Sequence, residues 1–319
     1  GRLSPGRMFL VDPSEGRIVG DHELKTELAR RRPYGKWLQE NKIDLQDLPN
    51  TKSFYLGSPE TLHERQLAFG YSAEDLNLLI GPMAAAGREP VGSMGNDTPL
   101  AALSERSPLL FHYFKQLFAQ VSNPPIDAIR EELVTASETY IGSEQNLFAE
   151  TPLHCRQLRI PQPILTNKEM EQIKQLDEPG FKTRTLSIVF EHAQNNGDLQ
   201  RAMDRLCAEA SEAVKDGCTI LILSDRDIDA THVPIPSLLA VSGVHHHLIR
   251  TGERMRVGIA LESGEPREVH HFAVLLGYGA GAINPYLALE TVEQLCHESS
   301  LDGISIEDAK ANYIKAAQK

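Results

Sequence analysis

The chain runs to 319 residues, 41% hydrophobic and 24% charged, with a formal net charge of −12. That length suggests about two domains, and the hydrophobic share is ample for a core. The acidic balance argues against a nucleic-acid partner, which needs a basic face to release counterions, and no apolar run approaches the ~18 residues of a membrane span. The opening GRLSPGRMFLVD has no basic n-region and no apolar h-region, so no signal peptide is expected and the chain reads as cut from something longer. Cys155, Cys207, Cys218 and Cys296 form no Cys-x-x-Cys pair and read as reduced thiols of a cytosolic-type protein.

Residues 7–11 (RMFLV) and 17–19 (RIV) flank the turn DPSEG and predict a hairpin. Asp21 is expected to cap a helix through Arg31, with Leu24 and Leu28 on one face. Residues 33–41 predict a short second helix in which Trp37 packs into a core or interface. Residues 59–70 and 72–80 predict two more helices. Ser72 and Asp75 open the second as a capping box with an acidic partner.

Residues 81–100, GPMAAAGREPVGSMGNDTPL, suit neither helix nor strand. Gly81, Gly87, Gly92 and Gly95 permit positive φ, and Pro82, Pro90 and Pro99 each remove a donor. A loop this long and apolar inside a compact protein is functional or buried in an interface. The plainer alternative is a packed Ω-like loop that joins two layers. Pro108 then opens a helix with Leu110, Phe111, Phe114, Leu117, Phe118 and Val121 on one buried face. After the turn SNPP, IDAIREELVTASETYI predicts another helix, and residues 142–165 read as irregular. Thr166 and Glu169 form a capping box for TNKEMEQIKQLDE.

From residue 183 the period changes. TRTLSIVF, CTILILSD, MRVGIALES and GAIN predict strands. GDLQRAMDRLCAEASEAVKDG, PIPSLLAVSGVHHHLIRTG, EPREVHHFAVLLGYGAG and PYLALETVEQLCHE predict helices. Alternation at this spacing argues for βαβ units. The expected class is α/β: a helical N-terminal half, then alternating β/α units with a mainly parallel sheet.

Short motifs carry little chemistry. GYGAGA at 277–282 matches G-x-G-x-x-A, but no strand precedes it and Pro285 interrupts the residues after it. A helix C-cap with Gly277 or Gly279 in the left-handed region, leading into a strand, accounts for it better. SDRDIDATH at 224–232 places Asp225, Asp227 and Asp229 like a calcium loop, yet Ala230 and Pro236 stand where glycine and glutamate are needed. Asp225 and Asp227 are expected to cap the next helix or pair with arginines. His245, His246 and His247 point in different directions on one helix, and His270 and His271 lie on another, so satisfied histidines are expected rather than zinc ligands. No nucleophile elbow and no P-loop stand out.

The residues GPMAAAGREPVGSMGNDTPLAALSERSPLLFHYFKQLFAQVSNPPIDAIREELV (81–134) closely resemble the central domain of glutamate synthases. The resemblance continues through ETPLHCRQLRIPQPILTN, LILSDRDID, the stretch from His245 to Thr291, and ANYIKAAQK, and is weakest over about residues 20–78. It implies residues 1–20 as the tail of an amidotransferase domain and 21–182 as the mainly helical part of the central domain. Residues 183–300 become its β/α part, partly like a TIM barrel, and 301–319 the start of an FMN-binding domain.

By resemblance, the parent enzyme makes L-glutamate from L-glutamine and 2-oxoglutarate. An amidotransferase domain releases ammonia, which crosses an internal channel to a domain carrying FMN and fed by a 3Fe–4S cluster. Ferredoxin or an NADPH-linked subunit supplies electrons. No catalytic, cofactor or metal residue is expected in this segment, whose partners would be the two neighbouring domains and ammonia in transit. The localisation implied is cytoplasmic or plastid-stromal. A channel wall for ammonia wants small, neutral, apolar groups, so Met83, Ala84, Ala85, Met94 and Asn96 are its candidates, with Arg88 and Glu89 facing away. Packing of a domain junction is the competing account. A free-standing nucleotide- or flavin-binding domain and a histidine metalloenzyme are the other readings.

Overall fold

The computed structural model describes residues 2–51, 57, 59–90, 99–116, 127, 129–130, 134–192, 197–298, 301 and 303–318. Its centre is a parallel sheet of four strands: β6 (Thr183–Ser187), β8 (Ile220–Ser224), β10 (Gly258–Glu262) and β11 (Ala282–Asn284), in the order β11-β10-β8-β6. Ile220 lies opposite both Thr183 and Gly258, and Ala260 lies opposite Ala282. β8, β10 and β11 are buried at every residue, which is why they read as unbroken apolar runs.

Strand alternation divides the core in two. Leu221, Leu223, Ile259, Leu261 and Ile283 point into the larger cluster, which holds α6 (Asp198–Lys215), α7 (Ser237–Arg250), α8 (Val269–Gly277) and α9 (Tyr286–His297). Ile220, Ile222, Ala260 and Ala282 point the other way. They meet α5 (Asn167–Lys174) and a small sheet in which β5 (Leu158–Ile160) sits between β3 (Ile43–Asp44) and β4 (Thr139–Ile141). The class is therefore mixed α/β as expected, and among the described residues the sheet does not close into a barrel.

The N-terminal half is a set of short pieces. β1 (Leu10–Asp12) and β2 (Arg17–Val19) form the expected hairpin, followed by α1 (Asp21–Arg30) and α2 (Tyr34–Asn41). Trp37 is half-buried edge-on to Tyr34. Asp21 does not cap α1: it is the helix's own first residue, and its carboxylate instead accepts the Met8 N–H at 2.8 Å. α3 (Leu62–Ala68) and α4 (Gly81–Ala86) pack on the outer helices. The capping boxes at Ser72/Asp75 and Thr166/Glu169 form as expected, each with both reciprocal bonds.

Several expectations give way to tertiary context. Residues 81–86 are helical, not loop. The helix expected from Pro108 is, over its described part, a 3-10 turn at Leu110–Phe114 that ends in extended backbone at Lys115. Its apolar residues answer to separate neighbours: Phe111 stacks on His271, and Phe114 meets Tyr278 edge-on. The end of the next expected helix is β4, because Leu158–Ile160 offers a ladder to Thr139–Ile141 and β-branched Thr139 and Ile141 suit a pleated surface. For the same reason residues 158–160 are strand, not irregular chain. TRTLSIVF breaks after Ser187. Ile188 donates to Ser224 O, and β7 (Val189–Glu191) leaves the sheet to pair with β9 (His232–Pro234).

Candidate functional site

Asp75–Ile80 form a π-helical turn that runs straight into α4. The widened turn has a local cause. Pro82 has no N–H for the carbonyl one turn back, and its ring would crowd that carbonyl in a regular helix. α4 stops at Gly87, whose φ of +62° lies in the left-handed region and whose N–H reaches Met83 O at 3.0 Å. Of the channel candidates, Met83 and Ala84 are fully buried, while Ala85 is exposed beside Ala86. Arg88 and Glu89 are exposed, and Met94 and Asn96 lie outside the described residues.

The buried face of α4 lies on α10 (Ile306–Gln318). Asn312 donates its carboxamide N–H to Ala84 O at 3.1 Å and to Ala85 O at 3.5 Å. Buried Tyr313 donates its hydroxyl to Arg267 O at 2.9 Å. A cleft of about 660 Å³ opens between Asp75–Leu79, residues 99–115 and Arg267–His271, and no residue of α4 lines it. Arg267 seals its floor: its guanidinium bonds Gly70 O, meets Asp75 at 3.2 Å and stacks over the Tyr71 ring.

In this cleft His112, Glu268 and His271 bring ligand atoms within 4.8 Å of one another, the one such convergence among the described residues. The Arg267 N–H points at His271 Nδ1 (3.3 Å), which leaves the ring proton on Nε2, 3.1 Å from Glu268 Oε1. Burial keeps both imidazoles below their usual range and so neutral at pH 7. Burial also works to raise Glu268, but the His271 N–H and the nearby Lys115 ammonium outweigh it and hold the carboxyl below its ordinary range. Of the other histidines in these two clusters, His245 accepts from Arg254, His247 pairs with Ser211 and His270 with Phe111 O, while His246 is exposed edge-on to His245.

Open α/β sheets take ligands at the C-terminal ends of their strands. Here that edge is filled from within. Buried Glu262 meets Lys174 at 2.9 Å and Arg226 at 2.6 Å, and accepts the Ser224 hydroxyl. Arg226 lies over the Tyr286 ring and 3.5 Å from Glu290, which in turn binds Arg65 of α3 at 2.5 Å. Asp225, 1% exposed, accepts from the Ser263 hydroxyl and the Gly264 N–H, and burial pushes its carboxyl up to about 7. The expected roles for the aspartates are thus corrected. Arg226 rather than Asp225 makes the ion pairs, exposed Asp229 accepts from Thr231 and His232, and no side chain caps α7. The sequence signal for this network is an acid inside an apolar run, at Glu262 in GIALE and Glu290 in PYLALETV.

GYGAGA is the helix end that its context suggests. α8 stops at Gly277, Gly279 has φ +110°, and β11 follows. A Cβ at Gly279 would run into the His245 ring, whereas one at Gly277 meets nothing within 4 Å. Gly279→Ala is expected to cost on the order of 2–3 kcal/mol in a thermal melt, with Gly277→Ala near neutral. Equal effects at the two positions would remove this assignment.

Residues 64–319 match the family model of the glutamate synthase central domain, and residues 1–37 that of the class-II glutamine amidotransferases. The chain is 46% identical over 315 residues to the glutamate synthase (NADPH) large chain of Bacillus subtilis, strain 168. It is 42% identical over 329 residues to glutamate synthase (NADH) of Schizosaccharomyces pombe. To the chloroplastic ferredoxin-dependent glutamate synthase of Spinacia oleracea it is 41% identical over 330 residues. These alignments cover 99%, 98% and 100% of this chain but only 20%, 15% and 20% of the three relatives. The chain therefore spans a fifth or less of their length.

Proposed function

The chain belongs to the family of glutamate synthase central domains, and from that premise we propose that it connects the glutaminase and FMN-bearing domains of a glutamate synthase and helps to wall the ammonia channel between them. The parent enzyme would form L-glutamate from L-glutamine and 2-oxoglutarate. The observation that carries this reading is the placement of residues 81–87. A short helix of small, neutral, apolar residues sits on α10 and ends at a glycine that redirects the chain. Such a wall offers ammonia no strong acid to protonate it, and Arg88 and Glu89 stand exposed.

On this reading, residues 1–20 close the amidotransferase domain, 21–182 and 183–300 make the central domain, and 301–319 lead into the FMN-binding domain. The exposed face of the β1–β2 hairpin, with Phe9, Val11 and Ile18 each more than half exposed, is then covered by the amidotransferase domain. FMN and an iron–sulfur cluster would belong to the parent enzyme's other domains. The four cysteines of this chain have no cluster spacing in the sequence. Among the described residues no helix is long and apolar enough to cross a membrane. The proposed compartment is the cytoplasm or the plastid stroma, and ferredoxin or a nicotinamide-linked subunit would donate electrons.

The test is Ala85→Trp in the full-length enzyme. Glutamine hydrolysis and glutamate formation from added ammonia are expected to persist, while glutamate formation from glutamine falls and free ammonia appears. If all three rates match the parent, residues 81–87 are packing and the channel runs elsewhere.

A further inference from the structure

The last carbonyls of any helix lack intrahelical donors and must find partners elsewhere. α4 is six residues long and solves this in an unusual way. Gly87 N–H takes Met83 O, and the next two carbonyls, Ala84 and Ala85, go to the Asn312 side chain. Asn312 lies 228 residues further along the chain than Ala84. The approach leaves little room. A Cβ on Gly87 would sit 3.1 Å from Asn312 Oδ1 and 3.6 Å from the Lys315 side chain, one turn further along the same face of α10.

α10 is itself fastened to the β/α part. Tyr313 bonds Arg267 O, Lys310 meets Glu293 of α9 at 2.8 Å, and Ala309, Ala316 and Ala317 are buried. Asn312 is thus a polar link between α10 and the point where the chain leaves α4. We infer that Asn312 is a positioning residue for glutamine-dependent synthesis. Its carboxamide locks the end of α4 to α10, so that a shift of α10 moves residues 84–87. This rests on the channel reading of residues 81–87. It adds that α10, the lead into the FMN-bearing domain, sets the position of that wall.

The experiment compares Asn312→Leu, which keeps the branching at Cγ and removes the donor, with Asn312→Gln, which keeps a carboxamide, in the full-length enzyme. Three rates are measured: glutamine hydrolysis, glutamate from added ammonia, and glutamate from glutamine, together with free ammonia released per glutamate. Asn312→Leu is expected to leave the two separate rates near the parent and raise ammonia release per glutamate about fivefold, the population change that loss of a single hydrogen bond produces. Asn312→Gln is expected to recover much of the coupling. A purely structural role would lower all rates together, or the thermal midpoint alone, and leave the release ratio unmoved; that result overturns the inference. If Ala85→Trp uncouples the enzyme and Asn312→Leu does not, the channel reading stands and the role of Asn312 falls. If neither variant uncouples it, both fall.

Discussion

Arg226→Met is expected to destabilise the protein by about 3–5 kcal/mol, the cost of breaking a buried ion pair from one side, and to lower Tm by about 10 °C. Arg226 is the guanidinium shared by Glu262 and Glu290, which are 2% and 7% exposed. Methionine fills similar space over the Tyr286 ring but leaves Glu262 with Lys174 and the Ser224 hydroxyl, and Glu290 with Arg65 and the Gly57 N–H. The pH dependence comes from Glu262. In the parent, burial works to raise its carboxyl, but Arg226 and Lys174 outweigh it and hold the carboxyl below its ordinary value of 4.5. A depressed carboxylate contributes stability above its unfolded pKa and loses it as pH falls through the folded one. Without Arg226, burial prevails and the sign reverses, so the deficit should be larger at pH 8 than at pH 5. Adding Glu262→Gln should restore about half of the loss, because the uncompensated charge is then gone. Thermal melts of the three proteins at the two pH values decide it. A loss under about 1 kcal/mol would mean that Lys174 and Arg65 suffice.

Asp225→Asn is expected to do the opposite and stabilise the protein at alkaline pH. The folded carboxyl sits at about 7, against 3.8 for an exposed aspartate, because burial disfavours its charge. Between those values the folded protein holds a proton that the unfolded chain has released. Stability therefore falls as pH rises through that window. Keeping the carboxylate ionised at pH 8 costs on the order of 4 kcal/mol. Asparagine carries no charge at any pH and can still accept from Gly264 N–H, while its amide faces Ser263 Oγ, which accepts the Glu265 N–H and has a second lone pair. The variant should melt at least as high as the parent at pH 8 and lose the slope between pH 5 and 8. A variant that melts lower at both pH values would show that ionised Asp225 is needed.

The β/α half is legible because its strands are short apolar runs closed by turn signals and its helices hold a 3.6-residue period. ILILS, GIALE and AIN each identify a buried strand without reference to anything distant. α4 is harder to see. Gly81 and Pro82 count against a helix in any local tally, yet proline near a helix start removes only one donor, and the π turn of Asp75–Ile80 absorbs the misfit. β4 escapes notice for the reverse reason: TASETYI is neutral locally and becomes strand only because Leu158–Ile160 lies beside it.

The order of amino acids was enough for the class of fold, the strand runs of the parallel sheet, the two capping boxes, the helix end at GYGAGA, and, through long resemblance, the family. These depend on neighbours within a few residues, or on similarity that no folding is needed to see. Folding was required to bring Arg65, Arg226, Glu262 and Glu290 into one buried network, to hold Asp225 near neutrality by burial, and to let Asn312 close the end of α4. Charge pairing, desolvation and helix capping at a distance depend on burial and on separations of a few ångströms. Residues 225 and 228 positions apart along the chain acquire those separations only when the chain has folded.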